Sequence, residues 1–247
     1  MSLFDDFAAL HCPGEPLILF NVWDAGSAKA VAAAGAPAIA TGSASVAAAS
    51  GFGDAEQLPL DLALANARRI VGAVDVPVTV DFEGGYATDP ARLAENAAAL
   101  AATGAIGCNF EDQVVGGTGL HPIAVQAERI AALRAAVGPD FFINARTDIF
   151  LQQREGHDGA MVDAALQRAR AYAEAGADGF FVPLLSDLSL LERCCAASPL
   201  PVNFMAFPGA PSAEQVAATG VARISHGPFP HMAAMRALTA EAAEHYG

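Results

Sequence analysis

Chemistry in this chain is concentrated first in the stretch Val78-Thr-Val-Asp-Phe-Glu-Gly-Gly-Tyr86, where an apolar alternation ends in two acids and a glycine pair. Residues two apart on a strand point to the same side, so Asp81 and Glu83 converge on one point if the strand runs as far as Glu83. Two carboxylates forced together repel, which raises a pKa or recruits a divalent cation. An all-oxygen cluster suits Mg2+, with Mn2+ as a substitute, rather than zinc. The alternative for an isolated Asp-x-Glu is a strand end with solvated acids.

Other polar residues fall at the ends of short apolar runs. They are Thr41, Gly42 and Ser43, with Asp54 further on; Asn109, Glu111 and Asp112; Asn144, Arg146, Thr147 and Asp148; Asn203; and Ser225 with His226. Asp54, Asp81, Glu83 and Glu111 form a candidate carboxylate ring holding one hard cation by direct bonds and through water. Arg146 is the basic residue at a strand end, a candidate for an anionic ligand or a developing oxyanion; the competing role is a buried salt bridge to Asp148 or Glu111. Thr41, Gly42, Ser43 and Asn203 are candidate substrate-binding groups, the first three offering backbone N–H and hydroxyl groups to a carboxylate. His121 closes a glycine-rich loop, Val115-Gly-Gly-Thr-Gly-Leu-His121, as an acid/base on a gating loop or simply as a residue that starts a helix.

The elements that must position these residues repeat one grammar. Apolar runs at 17–22, 38–41, 78–83, 105–110, 141–145, 178–182, 201–204 and 222–225 read as strands. Helical periodicity follows at about 25–34, 58–72, 90–103, 122–136, 159–175, 187–197, 212–219 and 229–245. Gly35, Gly104, Gly176 and Gly220 each close an alanine-rich helix where a left-handed cap is wanted. Gly42 to Ser45 reads as a small-residue loop. Eight strand-helix units predict an α/β fold, a (β/α)8 TIM barrel in a single domain over 1–247. A doubly wound open sheet is the rival, but no G-x-G-x-x-G follows the first strand. In a barrel the polar strand ends share one face, which is where such folds place their active sites.

Composition narrows the partners. The net charge is -14, with 13 Lys+Arg against 27 Asp+Glu, so no basic patch exists for nucleic acid or an anionic membrane surface. Apolar runs all fall short of the roughly 20 residues a membrane span needs. Asp5 and Asp6 stand where a signal peptide would carry Lys or Arg. Cys12, Cys108, Cys194 and Cys195 lack metal-ligand spacing, and an adjacent pair argues against a disulfide framework, so a reducing cytoplasm fits.

Over nearly its full length the chain resembles the isocitrate lyase/phosphoenolpyruvate mutase superfamily. The resemblance rests on Asn21-Val-Trp-Asp-Ala-Gly-Ser-Ala28, Thr41-Gly-Ser43, Val80-Asp-Phe-Glu-Gly-Gly-Tyr86, Asn109-Phe-Glu-Asp-Gln113 and Asn144-Ala-Arg-Thr-Asp148. It implies a barrel of that type, Mg2+, and a small 2-oxo or 2-hydroxy acid substrate handled through a pyruvate-like enolate. It also implies a homodimer or homotetramer, with the last helix exchanged between subunits. Asp81 takes the direct metal position, Asp54, Glu83 and Glu111 reach the metal through water, Gly42 and Ser43 hold the carboxylate, and Arg146 faces the enolate oxygen. The chain departs from the isocitrate-type lyases in lacking their Lys-Arg-Cys-Gly-His loop and the glutamate after strand 6, and from the mutases in lacking their lysine- and asparagine-bearing loop. Thr118 stands where phosphonopyruvate hydrolases of the family use a threonine, and with His121 it is the loop's candidate catalytic residue. These features imply a carbon-carbon lyase, with oxaloacetate decarboxylation, phosphonopyruvate hydrolysis or mutase-type C–P chemistry as alternatives, and a non-catalytic 2-oxo acid binding barrel as the alternative of another class.

Overall fold

The computed structural model describes residues 2–246. After a lead-in helix α1 (Leu3–Ala9) the chain runs β1 (Leu17–Leu19), α2 (Ala25–Ala33), β2 (Ile39–Ala40), α3 (Ser43–Ala49), α4 (Leu60–Val71), β3 (Val78–Asp81), α5 (Pro90–Ala101), β4 (Gly107–Glu111), α6 (Ile123–Val137) and β5 (Phe142–Arg146). It continues through α7 (Ile149–Gln152), α8 (Gly159–Glu174), β6 (Gly179–Phe181), α9 (Leu188–Ala197), β7 (Val202–Met205), α10 (Ala213–Ala217), β8 (Arg223–Ser225) and α11 (Phe229–Tyr246). The eight strands are all parallel, in the order β1-β8-β7-β6-β5-β4-β3-β2. A parallel bridge between Val22 and Thr41 brings the two ends of the sheet together, making a nearly closed (β/α)8 barrel of the expected class. Gly35, Gly104, Gly176 and Gly220 carry φ of +95°, +89°, +102° and +89°, a backbone that only glycine adopts at low cost, so each closes its helix as the spacing predicts.

Strand parity decides what faces the barrel interior. In register, Gly107 pairs with Phe142, Asn109 with Asn144 and Glu111 with Arg146, while Thr79 and Asp81 pair with Gly107 and Asn109. These positions point inward; Cys108, Phe110, Ile143 and Ala145 point outward into the main core beneath the helices. The N-terminal end of the barrel is plugged by α1, whose Phe7 is fully buried with Leu17, Leu19, Ile106 and Phe142. His11 stacks on Phe142 at 4.3 Å. Above this plug Asn144 donates to Asn109 and Asn203, Arg223 donates to Asn109, and Ser225 donates to Asn203, so a polar belt crosses the middle.

Three expectations change. Residues 43–49 form the helix α3 rather than a loop: alanine and serine lack the apolar spacing that would announce a helix, and Gly42 supplies no side-chain cap. The strand read as running to Glu83 ends at Asp81. The short α7 was not expected either. Among the described residues no helix is long and apolar enough to cross a membrane.

Candidate active site

The C-terminal mouth of the barrel encloses a cavity of about 340 Å3, lined on its polar side by Ser43, Asp54, Asp81, Asn109 and Arg146. Asp81 is the last residue of β3, its own N–H held by Thr41 Oγ1 at 2.9 Å. One carboxylate oxygen, Oδ2, accepts from both the Ser43 amide (3.1 Å) and the Ser43 hydroxyl (2.8 Å). The other, Oδ1, is buried with no protein donor. An unpartnered buried carboxylate oxygen is costly unless something positive meets it.

Glu83 is within reach by a route the sequence pattern did not anticipate. Its φ is +51°, so the chain leaves the strand in a left-handed turn instead of alternating onward. Its carboxylate then accepts from the Glu56 amide (2.7 Å) and from the Tyr86 hydroxyl (3.3 Å). Glu56 in turn accepts from the Tyr86 amide at 2.8 Å. Burial, followed by the charge of Asp81, pushes the Glu83 carboxyl up to about 7. Asp54 and Glu111 are raised too, burial being the largest cause for each. This clustering of reluctant anions around an orphaned oxygen fits a cation. Among the described residues no three His, Cys, Asp or Glu side chains converge closely enough to hold an ion between them. An all-oxygen donor set of this kind suits a hard cation such as Mg2+, which keeps several waters and takes one or two protein carboxylates.

Arg146 meets both descriptions offered for it. Its Nη1 lies 2.8 Å from Glu111 Oε2, and its Nε and Nη2 clasp Asp148 at 2.5 and 2.9 Å. It still lines the cavity. Burial opposes its charge, but Glu111 and Asp148 outweigh that and raise its pKa, so it stays a cation.

Of the remaining expected residues, Gly42 and Ser43 line the cavity and the others are placed elsewhere. Asn203 is 1% exposed and belongs to the mid-barrel belt, its amide donating to the Phe204 and Arg223 carbonyls, so it does not reach the cavity wall. The Thr41 hydroxyl accepts from the Asp81 amide, the Gly42 amide donates to the Val22 carbonyl, and the Ser43 amide and hydroxyl are both spent on Asp81. Thr118 is exposed at the tip of a turn closed by Val114 and Gly119, and His121 lines a separate small cleft with Glu56 and Arg129, so neither is brought to the main cavity. Asp112 turns away from the mouth to take Arg168, Tyr172 and the Asp148 amide. Missed from sequence were Glu56, Tyr86 and Arg154, all on loops rather than strand ends. The apolar side of the cavity, with Leu151, Phe181, Leu184, Met205 and Phe229, was missed as well.

Comparison with known proteins places the chain. The family model described as phosphoenolpyruvate phosphomutase matches residues 7–246. A crystal structure of a Burkholderia cenocepacia J2315 protein, provisionally called a phosphonomutase, is 51% identical with a TM-score of 0.95, covering 98% of both chains. An uncharacterized Mycobacterium tuberculosis protein is 35% identical over 233 residues, 94% of this chain and 85% of that one. The 2-methylisocitrate lyase of Escherichia coli K12 is 33% identical over 151 residues; the match takes in 58% of this chain and 49% of the lyase, about half its length.

Proposed function

Because the chain belongs to the phosphoenolpyruvate phosphomutase family, matched from residue 7 to 246, we propose that it is a Mg2+-dependent lyase that cleaves a carbon-carbon bond of a small 2-oxo or 2-hydroxy carboxylic acid through a pyruvate-like enolate. The observation that carries this reading is Asp81, whose Oδ1 has no protein donor, on the wall of a cavity that Arg146 also lines. Asp81 would hold Mg2+ (or Mn2+) directly, and Asp54, Glu83 and Glu111 would support it through water. When bound, the ion polarises the substrate's carboxylate and keto oxygens.

The protein's own part is positional and electrostatic. Ser43 fixes the Asp81 carboxylate by two hydrogen bonds to Oδ2 and leaves Oδ1 without a protein donor. Arg146 is held rigid by Glu111 and Asp148, so its guanidinium meets negative charge growing on the substrate oxygen without reorganising. As the C–C bond breaks, its electron pair passes into the enolate, whose negative charge rests on that oxygen; the carbon on the other side of the bond becomes a carbonyl as its hydroxyl gives up a proton, and one proton taken up at the enolate carbon gives the 2-oxo acid. The apolar wall of Leu151, Phe181 and Leu184 lowers the local dielectric and strengthens these interactions. C–P chemistry is less well supported. A phosphoryl group brings up to two further negative charges, and the cationic groups on the cavity are an Arg146 already paired twice and an exposed Arg154.

The same reading includes a homo-oligomer in which α11 packs on a neighbouring subunit. Of its 18 residues only Pro230 is buried, and Met232, Met235 and Leu238 lie exposed. The activity is tested by pyruvate or glyoxylate release, with and without Mg2+, from 2-methylisocitrate, 2,3-dimethylmalate, 4-hydroxy-2-oxoglutarate, oxaloacetate and phosphonopyruvate. Metal-dependent release from a C–C substrate supports it. Turnover of phosphonopyruvate alone, or 2-oxo acid binding without any turnover, contradicts it.

A further inference from the structure

Arg154 lies on the loop between α7 and α8 and lines the main cavity together with Leu151 and Leu184. Unlike Arg146 it makes no hydrogen bond or ion pair to any described residue. Its loop is nonetheless built: Gln153 Nε2 donates to the Glu155 and Gly156 carbonyls at 3.1 Å each, and the His157 ring lies 3.1 Å from the Phe150 carbonyl and 2.7 Å from that of Gln153. His157 also packs edge-on against buried Phe150 at 5.1 Å. The cavity wall therefore combines acids, an arginine whose charge is met by two carboxylates, apolar side chains, and one exposed, uncommitted guanidinium.

We infer that Arg154 is a specificity-determining residue that binds a second carboxylate at the end of the substrate remote from the cleaved bond. This rests on the 2-oxo acid reading above and narrows the substrate to a dicarboxylate, with room for an alkyl branch against Leu151, Leu184 and Phe229. A free guanidinium offers two parallel N–H donors that match a carboxylate, and a monoacid of the same length leaves them in water.

The test is calorimetric binding, in excess Mg2+, of 2-oxoglutarate and of 2-oxopentanoate, which has a methyl group in place of the second carboxylate. The unsubstituted protein should bind 2-oxoglutarate about tenfold more tightly, the size of one charge-assisted hydrogen bond. Arg154→Gln should abolish that preference while changing 2-oxopentanoate affinity less than about twofold, and Arg154→Lys should restore part of it. Equal affinity for both acids before and after substitution, or equal loss of both in Arg154→Gln, overturns the role of Arg154 alone. Binding of neither acid by the unsubstituted protein overturns the 2-oxo acid reading and this inference with it.

Discussion

Replacing Arg146 with alanine should cost stability as well as turnover, and the structure gives the size. The side chain joins Glu111 and Asp148, whose own side chains are 6% and 0% exposed, and it is 18% exposed itself. Removing one partner of a buried pair leaves an uncompensated charge and costs about 3–5 kcal/mol. Here the cavity admits water to the arginine side, so the lower end, about 3 kcal/mol, applies. For a chain of this length that is about 6–12 °C in Tm. The deficit should depend on pH. Burial already raises the Glu111 carboxyl well above its ordinary range, and Arg146 is the main influence pulling it down. Without Arg146 the folded-state pKa rises further above the unfolded one, so stability is retained at low pH and lost as pH climbs from the carboxylate range toward the folded value. Urea unfolding at about pH 5.5 and about pH 8 should show the larger loss at the higher pH, with an unchanged m value. Adding Glu111→Gln to the variant should recover part of it. A change under about 0.5 kcal/mol at both pH values would refute the reasoning, because two buried ion pairs cannot vanish without effect.

Other outcomes follow from the same coordinates. His11 is pushed down to about 3 by burial, helped by the charge of Arg223. Its folded pKa lies below the unfolded one, so its contribution is complete above about pH 6.5 and declines as pH falls toward 3. His11→Phe, which keeps the stacking on Phe142, should lose up to about 2 kcal/mol less than the parent between about pH 7 and 5, read as urea midpoints; identical pH profiles would exclude this. Gly85→Ala should destabilise by about 2 kcal/mol and impair activity, since φ is +81° and a Cβ there runs into the Leu93 side chain in the turn that carries Glu83. Met235→Glu with Leu238→Glu should shift the particle to a smaller mass in light scattering, and an unchanged mass would remove α11 from the interface.

Much of the fold was legible because a parallel barrel advertises itself: each strand is a short apolar run, four of the helices close on a glycine at positive φ (Gly35, Gly104, Gly176 and Gly220), and the strand-helix repeat fixes the topology. The site was legible where strand parity applied. Asp81, Glu111 and Arg146 sit at inward positions of the top layer, as alternation dictates. The same rule, carried further, would have corrected two other placements. Asp112 follows an inward residue and so must turn outward, and Asn203 lies one inward step below Met205, which occupies the mouth position of β7. What was not legible depends on loops. The left-handed φ of Glu83 and Glu56 is written in no periodicity, and Arg154 reaches the cavity only because the Gln153 to His157 loop folds on its own carbonyls. Thr118 was selected by its position in a motif, whereas the turn from Val114 to Gly119 holds it in solvent.

The most direct measurement is titration of oxalate, a planar dianion shaped like a pyruvate enolate, into the protein with and without Mg2+, for the parent and for Asp81→Asn. The account predicts tight oxalate binding that requires Mg2+ and is lost when Asp81 becomes neutral, with the fold intact by circular dichroism. Oxalate binding of equal strength without the metal, or undiminished in Asp81→Asn, would contradict it.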